Sequence, residues 1–165
     1  MINNELKKIS GVVLAIGLND KEQKVLEKNS KIEECYLLNS NSPSSNFTKG
    51  YSKTINIRKI KRIFRKKSFD YIVGNFEELK PYLRSFIKNS IYLNRGTCYF
   101  YNIKDFDIDE LKKRYVRYNS KVEIKKNIII VNNEKAKTNI ILNLFYYVCD
   151  FIYDAVDYIG NMFIN

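Results

Sequence analysis

Gly11–Asp20 reads GVVLAIGLND, and Phe69–Phe76 reads FDYIVGNF. Each holds a short continuous apolar run closed by glycine or asparagine, the pattern of a strand buried on both faces of a parallel sheet. A helix is expected directly after the first run, capped by Asn19 or Asp20, with Val25 and Leu26 supplying its apolar face through Asn29. A second strand, Glu34 to Leu38 (ECYLL), runs into NSNSPSSN, whose Asn, Ser and Pro make it a loop.

Working outward, a third strand is expected from Lys53 to Ile57. Ile57, Ile60, Ile63 and Phe64 then recur at helical spacing, which predicts a short helix from Arg58 to Lys66 with a basic outer face. After the strand Phe69 to Val73, a helix is predicted from Phe76 to Ile91, with Pro81 early in it or kinking it. Asn94-Arg95-Gly96 reads as a turn before a strand from Thr97 to Tyr101. A helix starting at Asp107 or Asp109 runs to about Asn119, and strands Lys121 to Ile124 and Asn127 to Val131 form an antiparallel hairpin. The alternation predicts an α/β doubly wound domain, a mostly parallel sheet with a terminal antiparallel hairpin, over residues 1–135. Residues 136–165 form a separate C-terminal apolar helix.

The chain has 165 residues, enough for one domain without disulfide staples. It carries 29 Lys plus Arg against 18 Asp plus Glu, a formal +11, and no His or Trp. Without imidazole, Ser-His-Asp and Cys-His nucleophiles and most zinc or non-haem iron sites are excluded, and no metal is expected. The three cysteines, Cys35, Cys98 and Cys149, are far apart and match neither a disulfide framework nor paired metal-ligand spacing, so inert buried thiols are expected. The N-terminus MINNELKKIS has no apolar core of a signal peptide, which makes the cytoplasm the expected compartment.

The order of elements resembles the class I S-adenosylmethionine-dependent methyltransferases, over about residues 10 to 131. GVVLAIGLND resembles their first strand and glycine turn, SFDYIVGNFEEL their fourth strand, and IYLNRGTCYFYN the turn and strand that follow. The resemblance implies a Rossmann-like sheet, S-adenosylmethionine as cofactor and in-line methyl transfer by positioning and desolvation. Carried over by position, Gly17, Asn39 and Phe76 would contact the cofactor, Tyr101 offers a second ring for stacking, and Asn75 would orient the methyl acceptor. Two departures bear on activity. Only Gly17 remains in the first loop, where the family has several glycines, and Asn39, or Asn41 beyond it, stands where a ribose-binding carboxylate is usual. The implied protein is a divergent methyltransferase-like one with weak or lost catalysis and a degenerate active site.

The alternative is a non-enzymatic binding or assembly module. Between Glu34 and Asp70 there is no acidic residue, while Arg58, Lys59, Lys61, Arg62, Arg65, Lys66 and Lys67 crowd one segment. Such an anion-binding segment can contact nucleic-acid phosphates, an acidic protein or an anionic membrane surface. Lys, Ile and Asn number 22, 22 and 20, so part of the lysine reflects an AT-rich coding bias, and placement matters more than amount. The last element, Thr138 to Phe163, is apolar over most of a helical circumference, apart from Asp150, Asp154 and Asp157 on one stripe. Those aspartates argue against a transmembrane segment and the unsatisfied apolar surface predicts a homo-oligomer, a homodimer or a protein partner through this helix.

Overall fold

The computed structural model describes residues 2–38, 50–53 and 57–136, together with Phe145, Val148 and Ile152 beyond them. Among the described residues seven strands form one sheet: β1 (Gly11–Ile16), β2 (Ile32–Leu38), β3 (Gly50–Lys53), β4 (Phe69–Asn75), β5 (Asn94–Tyr101), β6 (Lys121–Lys125) and β7 (Ile128–Asn132). Their spatial order is β3-β2-β1-β4-β5-β7-β6. β1 to β5 pair in parallel, and β7 pairs antiparallel with both β5 and β6. This is the α/β sheet with a terminal antiparallel hairpin that the apolar runs predict.

Alternate strand residues feed two cores. Leu14, Ile16, Ile72, Cys98, Phe100, Ile129 and Val131 face one side, where α3 (Phe76–Leu79), α4 (Leu83–Leu93) and α5 (Asp105–Val116) contribute Phe76, Leu79, Phe86, Leu111 and Tyr115. Val13, Ala15, Cys35, Leu37, Val73, Tyr101 and Ile128 face the other side, covered by α1 (Ile2–Leu6) and α2 (Asp20–Glu27). The apolar alternation in strands buried on both faces therefore serves two layers of helices.

Several expectations are corrected. The third strand is Gly50–Lys53; of the strand expected from Lys53 to Ile57, residues 54–56 lie outside the described residues, and Ile57 begins a 3-10 helix, Ile57–Arg62, which stands where a helix was predicted from Arg58 to Lys66. Pro81 divides the predicted Phe76 to Ile91 helix into α3, a 3-10 turn Lys80–Tyr82 and α4. Asn94-Arg95-Gly96 is no turn: α4 passes directly into β5. The polar-looking N-terminus forms α1, with Ile2 and Leu6 buried. Of the C-terminal element only Phe145, Val148 and Ile152 are described; all three are helical, and they are 62%, 47% and 55% exposed.

A polar lock holds the N-terminal end of the central strands. The buried Asn94 side chain donates to the carbonyls of Phe69 (3.2 Å) and Asp70 (3.1 Å) and accepts from Asn133 Nδ2 (3.2 Å). Asn133 in turn accepts from Ser120 Oγ (2.7 Å), and its backbone N–H donates to the Gly96 carbonyl (2.8 Å). Gly96 is obligatory here, since a Cβ would lie 2.4 Å from the Asp70 carbonyl oxygen. Beside this network, Arg95 grips Asp70 through Nε–Oδ1 (2.6 Å) and Nη2–Oδ2 (2.8 Å), and Val12 N–H donates to Oδ2 (3.0 Å).

Two outcomes follow from this lock. Asn94→Ala strands a buried amide and two carbonyls and should cost about 2–4 kcal/mol in denaturant unfolding. The Arg95 hydrogen bonds, aided by Val12 N–H and opposed by burial, hold the Asp70 carboxyl below its ordinary value. A carboxyl held low in the folded chain stabilises it above the unfolded value of about 3.9. That contribution disappears as pH falls through the folded value. Asp70→Asn should therefore lower the melting temperature at neutral pH and flatten its decline below about pH 4.

Candidate active site

The chain passes from β1 to β2 on one side and to β4 on the other, so the C-terminal ends of β1 and β4 flank the topological switch point of the sheet, where α/β folds place their ligands. Gly17, Asn75 and Tyr101 follow or end β1, β4 and β5 there. Gly17 has φ +66, a backbone conformation that glycine adopts without strain. Its N–H donates to the Leu38 carbonyl (3.0 Å), which ties the first loop to the end of β2.

The loop after Gly17 satisfies itself. Leu18 is buried, and its carbonyl accepts from Gln23 Nε2 (2.9 Å). Asn19 caps α2: its Oδ1 accepts from Glu22 N–H (3.0 Å), and its own N–H donates to Glu22 Oε2 (2.9 Å), a reciprocal capping box. Tyr101, from across the sheet, donates its hydroxyl to the same Glu22 oxygen (2.7 Å), with both side chains buried. Burial, then the Glu22 hydrogen bond and the charges of Glu22 and Glu78, push the Tyr101 phenol well up.

The space over Gly17 is taken as well. A Cβ there would lie 2.5 Å from Glu78 Cγ and 3.3 Å from Asn75 Cβ. Asn75 caps α3, its Oδ1 accepting from Glu77 N–H (3.3 Å) and from Asn102 Nδ2 (3.3 Å). The structure thus brings together Gly17, Asn75 and Tyr101. It places Phe76 inside the core with Leu79 and Phe100, away from any ligand-facing position, and Asn39 lies outside the described residues. Sequence reasoning missed Glu22 and Glu78. Glu22 had a signal, the Asn-x-x-Glu spacing of a capping box; Glu78 had none.

The basic segment divides. Lys67 has φ +56 and turns inward, its Nζ donating to the Asn94 carbonyl (2.7 Å), and burial lowers its pKa. It belongs to the polar lock and not to an anion-binding face. Lys61, Arg62, Arg65 and Lys66 are exposed, and nothing is described of the side chains of Arg58 and Lys59.

No protein-family model matches the chain, and no curated protein matches its sequence. Solved structures do match. The methyltransferase domain of bacterial CtHen1 aligns with a TM-score of 0.56 at 11% identity, over 79% of this chain and 93% of that one. The MycE methyltransferase of the mycinamycin biosynthetic pathway, in complex with Mg, SAH and mycinamycin VI, gives 0.56 at 11% identity over 82% of this chain. M. jannaschii TYW2 in complex with AdoMet gives 0.53 at 14% identity, over 79% and 73%. The chain has the class I methyltransferase-like fold. It spans 45% of the length of MycE.

In a methyltransferase-like fold the crevice at Gly17 and Asn75 is where the resemblance puts S-adenosylmethionine. The lining here is not an open glycine cradle, because Glu78 and Asn75 cover Gly17 and the polar groups of the loop bond to one another. Among the described residues no group of three His, Cys, Asp or Glu side chains is placed to hold a metal ion.

Tyr101→Phe should cost about 1–3 kcal/mol, since it removes the hydroxyl donor from a buried carboxylate. It should also flatten the alkaline limb of stability. The folded phenol keeps its proton while the unfolded one releases it above about pH 10, so stability falls as pH rises past that value. Tyr99 and Tyr115, also pushed up by burial, retain the remainder of the slope in urea titrations across that range.

Proposed function

We propose that this chain is a divergent S-adenosylmethionine methyltransferase-like protein whose cofactor binding is weakened and whose catalysis is weak or lost. The observation that supports this reading is the covered Gly17: the one glycine left in the first loop has Glu78 methylenes where a cofactor would need bare backbone. Opening the loop would break the Tyr101–Glu22 bond. A hydrogen bond to a charged group is worth about 1.5–3 kcal/mol, or about one to two powers of ten in affinity. Asn75, the candidate for orienting an acceptor, has its carbonyl oxygen engaged by Glu77 and Asn102.

Calorimetric titration of the full chain with S-adenosylmethionine and with S-adenosylhomocysteine tests the reading. The expected result is no saturable heat up to about 1 mM ligand, the affinity that corresponds to about −4 kcal/mol. A dissociation constant below about 100 μM for either ligand would show a working cofactor site and overturn the proposal.

A further inference from the structure

Lys61, Arg62, Arg65 and Lys66 are exposed, and among the described residues none of their side chains has a hydrogen-bond or ion-pair partner. The acids that bracket them in sequence are both engaged elsewhere. Asp70 is held by Arg95 and Val12 N–H, and Glu34 accepts the Tyr36 hydroxyl. In sequence, Ile63, 48% exposed, stands between Lys61-Arg62 and Arg65-Lys66. Its neighbour Phe64 turns the other way, into a cluster of three edge-to-face rings with Tyr36 (5.1 Å between centroids) and Phe69 (5.0 Å). The segment rests on a firm base: Asn89 Nδ2 on α4 donates to the Ile57 carbonyl (3.0 Å) at the start of the 3-10 helix.

We infer that this patch is a docking surface for an anionic phospholipid bilayer. Four exposed cations within six residues, flanking a half-exposed aliphatic side chain, match a surface that offers negative headgroups above an apolar layer, and each such cation contributes about fivefold in affinity near an anionic membrane. A nucleic-acid partner fits less well. Phe64 is locked among rings and offers no face for base stacking, and the local helix is a six-residue 3-10 turn packed on α4, not a helix free to enter a groove. The patch precedes the first residue of β4, and the crevice lies past its last. Seven strand residues separate the two ends by about 20 Å.

Vesicle flotation with the full chain tests this. Vesicles of phosphatidylcholine alone are compared with vesicles containing about one third phosphatidylglycerol, in low salt and in about 0.5 M salt. The protein should float with the anionic vesicles only, and high salt should release it. Arg65→Gln with Lys66→Gln should weaken binding about 25-fold, and Ile63→Ser about fivefold with the charge unchanged. Unchanged melting temperatures would confirm that both variants fold. Three results would overturn the inference: equal binding to neutral vesicles, binding untouched by these substitutions, as an attachment through the apolar helical positions Phe145, Val148 and Ile152 would be, or tighter binding to a labelled oligonucleotide than to anionic vesicles.

Discussion

The carboxylate of Asp70 is the group on which the central sheet depends. It sits where the β4–β5 ladder shifts register, between Phe69 and Tyr71, and it accepts the N–H of Val12, next to the shift in the β1–β2 ladder at Gly11. At both places the regular backbone pairing is interrupted, and an orphaned N–H or carbonyl inside a sheet is costly. Asp70 takes the N–H of Val12, Arg95 takes the charge of Asp70, and Asn94 takes the carbonyls on either side of the shift. Three neighbouring strands, β1, β4 and β5, are thereby pinned in one register. A slip by one residue would exchange the two core faces of the sheet, putting Tyr71 and Val73 on the side of Ile72. The Asp70–Arg95 pair contributes through this placement more than through its charge energy, since the Arg95 side chain is 54% exposed and water screens it.

The opposite end of the sheet is built from the same kinds of bond with a different consequence. Asn19, Glu22 and Tyr101 satisfy one another, and Glu78 covers the glycine that the topology leaves bare. In a ligand site the polar groups have to be positioned yet available. Here they are positioned by consuming each other. At the switch point of the sheet the buried phenol–carboxylate pair ties α2 to the end of β5.

The buried strands were legible because a short, nearly continuous apolar run suits a strand covered on both faces, and GVVLAIG and, apart from Asp70, FDYIV are such runs. The Asn19 cap and the hairpin were legible for equally local reasons. The clearest misreading comes from polar residues whose partners are distant in sequence. Asn94-Arg95-Gly96 has the composition of a turn, yet its Asn bonds 24 and 25 residues back and 39 residues forward, its Arg pairs with Asp70, and its Gly is required by the Asp70 carbonyl. α1 was invisible because two apolar residues among polar and charged neighbours make no periodic signal, although Ile2 and Leu6 reach the core. Phe76, carried over by resemblance as a cofactor contact, follows a residue at the crevice, but the first turn of α3 rotates its ring into the core. Gly17 and Asn75 could be singled out because they end apolar runs; Glu78, which packs against Gly17, stands in a helix where nothing local distinguishes it from Glu77.

The cluster of cations shows why a count of charges is a poor guide and placement a better one. Sequence alone gives Lys66 and Lys67 the same standing, adjacent lysines in one basic run. The backbone separates them: a left-handed residue at Lys67 carries its ammonium to the Asn94 carbonyl, where it joins the lock beside Asp70, and leaves Lys66 in water. The lock consumes the acidic group nearest the patch and also one of the lysines beside it. Asp70 is committed to Arg95 and Val12 and Lys67 to the Asn94 carbonyl, so the constraint that fixes the register of the sheet also decides which charges of this run remain in water.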